Sequence, residues 1–327
     1  MNNFPYKKAL VTGGAGFIGS HVVEALVKMG VETISIDNYF AGKPINLAHL
    51  KGYDNFHEVN CDITNDHDLE KHFPGVDVVF HQAASKKTIC MKDPRKDLEI
   101  NGTGTFNLLE LAVKYKIKKF VHASTGSVYG EPIVFPQDEN HPLAPVSYYG
   151  VSKLAGERYV KVFDHLYGLN TTILRYFHIY GPRQESSDVG GVVSIYVRSL
   201  LTGQPITIFG DGTQMRSFTY IDDVVQANLR SATAEKSRGQ VYNCTSGIQV
   251  TIGQLASMVA TCLEIPSPDV RYGDWTPGDI KFFNVDNSKI KNDLGLSFLT
   301  DFKQGLQRTV DWGKDFFLDK IGHAQKS

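Results

Sequence analysis

Short apolar runs rich in Val, Ile and Phe recur at Ala9–Val11, Ile34–Ile36, Val76–Phe80, Phe120–Val121 and Thr172–Leu174, with helical patterns between them. Strand-length apolar runs alternating with helices predict a parallel sheet, because parallel neighbours need a crossover and the crossover helix must bury one face on the sheet. Between the first two runs, Ile18, Val22, Leu26 and Met29 recur at helical spacing and predict one buried stripe. The first unit therefore reads as strand, glycine turn, helix, strand.

After Tyr180-Gly181-Pro182-Arg183 the rhythm changes. Pro205–Phe209 and Arg216–Tyr220 read as two strands joined through Gly210-Asp211-Gly212, which predicts a hairpin and opens a smaller second lobe. Val241–Cys244 is short and apolar and is expected to rejoin the first sheet, so the two lobes interleave. The expected division is a first domain over residues 1–180, with a returning segment near 221–246, and a second lobe occupying most of 181–327. The polar tail from Gly322 to Ser327 is expected to fray.

With 327 residues, 42% of them hydrophobic and 21% charged, the chain has enough apolar material for a large core and too little bias for a disordered or fibrous class. Thirty-four basic residues against 35 acidic ones, without a basic stripe, argue against nucleic acid as a partner. Cys61, Cys90, Cys244 and Cys262 lack disulfide-framework or zinc-knuckle spacing, and no apolar run reaches signal-peptide or membrane-spanning length. A cytoplasmic protein with reduced thiols, no bound metal and no membrane partner is expected.

Thr12-Gly13-Gly14-Ala15-Gly16-Phe17-Ile18-Gly19 places glycines at a three-residue interval between the first strand and the first helix. Glycine lets the chain turn sharply, lets phosphates approach the main chain, and lets helix and strand pack closely, while the helix amino end favours an anion. Turn glycines before a helix are common, so the pattern alone fits a plain turn equally well. Asp37 changes that balance, since it closes the second strand at the place where a carboxylate accepts hydrogen bonds from an adenosine ribose. It predicts NAD rather than NADP: a 2'-phosphate would meet like charge, and Asn38-Tyr39-Phe40 supply no arginine. A loop cap is the structural alternative for Asp37, and Asp62, after the third strand, either meets the adenine edge or starts a turn.

Tyr149 and Lys153 stand four residues apart, so a helix over Tyr148–Val162 puts both on one face. Among 15 tyrosines the spacing recurs at Tyr39 with Lys43 and Tyr115 with Lys119. Position selects Tyr149, which follows a strand ending in Ser124-Thr125 and so lies above the strand ends, where a nicotinamide would sit. A phenol with its ordinary pKa near 10 is about one part in a thousand ionised at neutral pH. Lowering that value by roughly three units takes about 4 kcal/mol, which Lys153 and the positive nicotinamide ring are expected to supply. Thr125 is expected to hydrogen-bond the reacting hydroxyl.

These residues resemble the extended short-chain dehydrogenase/reductases, in particular the nucleotide-sugar 4-epimerases, over nearly the whole chain. The matching motifs are the glycine turn, Asp37-Asn38, His81-Gln82-Ala83-Ala84, Asn101 with Gly104-Thr105, Ser124-Thr125 before Val128-Tyr129-Gly130, Tyr149 with Lys153, and Arg175-Tyr176-Phe177 before Tyr180-Gly181-Pro182-Arg183. The resemblance implies an α/β fold: a Rossmann-type doubly wound parallel sheet with a smaller mixed α/β substrate-binding lobe. It implies an NAD site drawn from Gly13, Gly16, Phe17, Ile18, Gly19, Asp37, Asn38, Asp62, Ile63, Gln82, Ala83, Ala84, Asn101, Ser124, Tyr149, Lys153 and Tyr176. On the substrate side it implies Lys86, Thr125, Ser127, His178, Val193, Phe209, Arg216 and Asp279, with Arg216 gripping the diphosphate and Phe209 lying against the base or merely packing in the hairpin. The implied reaction takes hydride from C4 of a nucleotide-linked sugar, with UDP the first choice, and returns it to the other face of the 4-ketose. Helices around Thr105–Lys114 and Tyr149–Val162 resemble those that pair subunits, so a homodimer is expected.

Departures from the pattern are His178 in place of a usual asparagine, Ser217 in place of an aspartate after Arg216, and Thr276 in place of an arginine before Gly278-Asp279. A 4,6-dehydratase or a decarboxylase would share the oxidation step. Dehydratases of the family carry Asp-Glu after the threonine, where this chain has Gly126-Ser127, so epimerase ranks above dehydratase. A silent NAD-binding scaffold is the remaining alternative, and such proteins usually lose the tyrosine or lysine kept here.

Overall fold

A computed structural model describes residues 4–85, 87–187, 190–275 and 281–324. In chain order the elements are β1 (Lys8–Thr12), α1 (Phe17–Lys28), β2 (Glu32–Asp37), β3 (Phe56–Asn60), α2 (Asp66–Glu70), β4 (Val78–His81), α3 (Lys87–Lys92), α4 (Pro94–Leu98), a wider π-helical turn (Glu99–Gly104), α5 (Thr105–Lys114) and β5 (Lys119–Thr125). There follow α6 (Tyr148–Tyr167), β6 (Thr171–Tyr176), β7 (Ile179–Tyr180), α7 (Val192–Leu201), β8 (Ile206–Phe209), β9 (Met215–Tyr220), α8 (Ile221–Thr233) and β10 (Gln240–Cys244). The chain closes with β11 (Ile248–Thr251), α9 (Ile252–Cys262), β12 (Val270–Gly273), α10 (Ser288–Leu294) and α11 (Phe302–Ala324). No helix among the described residues is long and apolar enough to cross a membrane.

Seven parallel strands form the main sheet in the order β10-β6-β5-β4-β1-β2-β3. Strand order reverses between β1 and β4, which opens a crevice at the carboxyl ends of the strands. Inner strands such as Val78-Val79-Phe80-His81 are buried on both faces, whereas the edge strand β3 carries the half-exposed Phe56-His57-Glu58-Val59-Asn60. As expected from its apolar run, β10 pairs with β6 in this sheet, through Val241 opposite Ile173 and Tyr242 opposite Leu174.

Two local expectations need correction. The buried stripe of α1 is Val22, Val23, Leu26 and Val27, while Met29 lies past the helix end and is 38% exposed. The expected hairpin is absent: β8 pairs in parallel with β12, and β9 lies between β7 and β11. Burial explains the difference. β9 is buried along nearly its whole length and needs a partner on each side, while β8 alternates buried Ile206 and Ile208 with exposed Thr207 and Phe209, the pattern of a one-faced edge. The turn between them closes on itself, with Gln214 Nε2 donating to Phe209 O at 2.6 Å and Thr213 N to Asp211 Oδ1 at 2.9 Å.

Helix α6 is defined at both ends, by Ser147 Oγ accepting from Gly150 N at its start and by Gly168 in the left-handed conformation (φ 66°) at its close. Its middle is anchored by a buried ion pair. Glu157 accepts from Arg175 Nε at 2.9 Å and Nη2 at 2.7 Å, and from Ser124 Oγ at 2.6 Å, so one carboxylate joins α6 to β5 and β6. Arg175 also donates to Tyr129 Oη at 2.8 Å, and that phenol donates to Asn243 Oδ1 on β10 at 2.6 Å.

Removing one partner of such a pair strands the other charge in the interior. Glu157→Ala is expected to lower the unfolding free energy by about 3–5 kcal/mol in a urea titration. The double change Glu157→Met with Arg175→Met should recover most of it, and a double variant no better than the single one would refute this account.

Candidate active site

The β1–α1 turn is shaped by close approaches. Gly13 has φ +65°, and a Cβ there would lie 2.7 Å from the Ala83 backbone; a Cβ on Gly19 would lie 2.0 Å from Gly13 O. Side chains are thus excluded at both positions, and α1 settles against the strand end. Gly16 begins the helix with no side-chain cap, and no acidic residue stands in the first turn, so the free amides and the positive helix end face the crevice.

The crevice has a volume of about 330 Å³. Its lining brings together eleven of the expected cofactor residues: Gly13, Gly16, Phe17, Ile18, Asp37, Asn38, Asp62, Ile63, Gln82, Ala83 and Ala84. Asp37 accepts from Ala15 N at 3.0 Å and from Tyr39 N at 2.8 Å; burial pushes its carboxyl up and these two amides pull it back. It is therefore a loop cap as well as a wall of the crevice. Asp62 starts a turn, accepting from Thr64 N at 2.9 Å and from Asn38 Nδ2 at 2.8 Å, and also lines the crevice.

The remaining expected cofactor residues stand behind or beside this lining. Gly19 packs on the turn; Ser124 is taken up by Glu157; and Tyr176 donates to Gln82 Oε1 at 3.1 Å, holding a lining side chain in place. Asn101 is buried and accepts from Ser85 N at 3.0 Å. Sequence reasoning missed Phe40–Lys43 and Asn46 on one rim and Gln184, Glu185, Gly190 and Gly191 on the other, together with Ser85 in the wall. Arg183, quoted above only within a motif, also lines the crevice, and Lys43 bridges to Glu185 at 2.8 Å across the two rims.

The three Tyr/Lys pairs separate cleanly. Lys43 belongs to the rim bridge, and Lys119 is buried at the opposite end of β5, donating to Asn170 Oδ1 and Ser237 Oγ, both at 2.8 Å. Tyr149 and Lys153 lie one turn apart on α6 beside Thr125 at the end of β5. The Lys153 amine is 1% exposed and has no hydrogen-bond partner among the described residues. Burial pushes it down to about 8, against the pull of Glu157 and Asp97.

The side chains around Tyr149 leave its phenol protonated at neutral pH. Burial pushes Tyr149 up to about 12; the hydrogen bond from Thr125 lowers it, while Asp97 and Cys90 raise it further. An easily ionised phenol is thus not a property of these side chains alone. Thr125 has a second task, because its Oγ1 accepts from Ser127 N at 3.2 Å and caps the short turn Gly126–Val128.

On the substrate side, His178 has φ +41° and packs edge-on to Phe283 (ring centroids 4.8 Å). Burial first, and Arg216 second, push its imidazole down to about 3, so it is neutral at pH 7. Arg216 is buried and lies 5.5 Å over the Phe283 ring. Ser217, where an aspartate is usual, shares a 2.6 Å hydrogen bond with Thr245. Phe209 is 56% exposed at the end of β8, with its ring against Gly273 rather than inside a hairpin. Val193 is 1% exposed within the core packed on α7, away from any open surface. Lys86, Thr276 and Asp279 lie outside the described residues.

Known proteins resemble this chain in sequence and fold. The model of the NAD dependent epimerase/dehydratase family matches residues 9–245. A Methanocaldococcus jannaschii protein whose name carries a provisional UDP-glucose 4-epimerase assignment is 39% identical over 310 residues, 94% of this chain and 98% of its own. The crystal structure of the Thermotoga maritima UDP-glucose 4-epimerase with UDP-glucose superposes with a TM-score of 0.89 at 36% identity, covering 95% of this chain and 99% of that one. That of the Bacillus cereus UDP-glucuronic acid 4-epimerase, in complex with UDP-glucuronic acid and NAD, gives 0.88 at 35% identity, over 94% and 99%. By its glycine turn, its Thr125–Tyr149–Lys153 centre and these matches over nearly its full length, the chain belongs to the NAD dependent epimerase/dehydratase family.

Proposed function

We propose that this chain is an NAD-dependent 4-epimerase of UDP-linked hexoses. The observation that carries the reading is the placement of Thr125, Tyr149 and Lys153 at the carboxyl end of β5 and in the first turns of α6, beside a crevice whose glycine turn packs α1 tightly onto the strand ends with its amino end uncapped. The uncapped amino end of α1 suits the diphosphate, and Asp37 suits an unphosphorylated ribose. When bound, NAD supplies reversible hydride acceptance at C4 of the sugar.

The chain's own residues do the proton work. Tyr149 Oη, ionised to the phenolate with its own proton released to solvent, takes the proton of the 4-hydroxyl as the C4–H bond gives up its electron pair, leaving a 4-ketose, and returns that proton when hydride arrives on the opposite face. Thr125 holds the hydroxyl in line, and the buried ammonium of Lys153 stabilises phenolate character as the proton moves.

Gly126 supports epimerisation over dehydration. A Cβ there would lie 2.4 Å from Cε1 of Phe177, a ring that is 2% exposed and backed by Tyr129 and Phe283. The aspartate that family dehydratases carry at this position has no room without moving that stack. Arg216, with a planar charged fork, is the residue proposed to grip the diphosphate, and His178 as a neutral ring completes that wall. We assign the main sheet with its returning β10 to the cofactor, the lobe after β7 mainly to the nucleotide sugar, and the protein to a reducing, cytoplasmic compartment, in keeping with four free, buried cysteines.

A homodimer is part of the same reading. Tyr148, Val151, Tyr159, Val162 and Leu166 form an exposed apolar stripe along α6, beside α5, whose Phe106 touches Tyr159 at 5.3 Å.

Incubation with UDP sugars, read by NMR, should give products isomeric at C4, and Tyr149→Phe should lower kcat by about 10²–10⁴-fold while still binding NAD. Loss of water or carbon dioxide from the sugar would overturn the assignment. For the assembly, Val162→Glu with Leu166→Glu should convert a dimer to a monomer in sedimentation velocity; an unchanged sedimentation coefficient would place the contact elsewhere.

A further inference from the structure

The wall behind the catalytic pair holds a carboxyl that the reaction described above does not use. Asp97, on α4, is 1% exposed. Its Oδ1 accepts from the Ser85 hydroxyl and from Asn101 Nδ2, the latter at 3.1 Å, while its Oδ2 has no hydrogen-bond partner among the described residues. Asn101 reaches onward to Ser152 Oγ at 3.0 Å, and Ser152 donates to the carbonyl of Tyr149 at 3.1 Å. A buried carboxyl is thereby tied, through two side chains, to the main chain of the reacting tyrosine.

We infer that Asp97 is a positioning residue of the active centre, which holds the first turn of α6 through Asn101 and Ser152 and sets beside Tyr149 and Lys153 a negative charge that favours the protonated form of each.

The surroundings isolate this charge. From α6, Tyr149, Lys153 and Glu157 face the region, and Glu157 is held in an ion pair by Arg175. From β4 and β5 come His81 and His122, both driven well below the ordinary imidazole range by burial first and by Lys153 second, and the uncharged Thr125. From α3 comes the thiol of Cys90. On α4 itself, Lys96 pairs with Glu99 at 3.0 Å in the open. Asp97 is thus the carboxyl near the pair with no cation bound to it among the described residues. A negative charge there disfavours phenolate at Tyr149, in the same sense as burial, and favours ammonium at Lys153, against the burial that pushes that amine down. Such an arrangement keeps the phenol protonated until substrate and cofactor shift the balance.

Asp97→Asn keeps the shape and an acceptor for Ser85 and Asn101 while removing the charge. The phenolate absorbance of the NAD-loaded protein, titrated with pH and assigned by subtraction of the same variant carrying Tyr149→Phe, is expected to move to lower pH by about one unit, a tenfold change in the ionisation constant. The low-pH limb of kcat should move the same way, with the melting temperature little changed. A titration and limb that stay in place, whatever happens to kcat, would overturn the electrostatic role. Should Asp97→Asn fail to fold, Ser152→Ala tests the mechanical tie: kcat should fall several-fold with KM unchanged, and an unaltered kcat would overturn it. The inference rests on Tyr149 as proton acceptor, but the absorbance titration needs no substrate, so its failure is distinguishable from failure of the epimerase reading.

Discussion

A buried ammonium without a counter-ion at contact distance is the constraint on which this site is built. Taking such a charge out of water costs several kcal/mol unless polar groups compensate, and at Lys153 the compensation is held at a distance, by Glu157 one turn along the helix and Asp97 on a neighbouring one. Keeping those carboxylates in place takes most of the polar structure around α6: the Arg175–Tyr129–Asn243 chain on one side and the Asn101–Ser152 chain on the other. Both chains tie the helix to neighbouring elements, so the site's electrostatics and its rigidity have the same source.

The energetic consequence is a centre in which neither Tyr149 nor Lys153 is charged cheaply. The lysine is eased toward neutrality and the tyrosine held away from ionisation, both chiefly by exclusion of water. A site of that kind releases little proton chemistry until a positive group and a hydroxyl enter together, which suits a reaction whose intermediate must not leave. The glycine turn and the Gly126–Phe177 contact act in the same sense by shape, one admitting a main-chain approach and the other refusing an extra acid.

Much of this was legible in the chain. The apolar runs specify the sheet strands, since a strand covered on both faces has no polar alternation to confuse; Val241–Cys244 was recognisable as a returning strand for that reason. The hairpin was not, because Gly210-Asp211-Gly212 records only that the chain turns, and pairing depends on how many faces of β9 are covered. Similarly, Tyr149 could be chosen over Tyr39 and Tyr115 by its place after a strand, but the direction in which its proton affinity moves depends on water exclusion, which no spacing encodes.

Residue order by itself determined the element sequence, the glycine turn with Asp37 at the proper distance, and the tyrosine, lysine and threonine that share the centre, because each depends on local periodicity or on side-chain chemistry. Tertiary structure alone decided which residues from distant segments line the crevice, such as Lys43 with Glu185, that Val193 belongs to the core, and that Asp97 lies behind the catalytic pair. These depend on through-space distance and on the loss of water around charges, quantities that exist only once the chain has closed on itself.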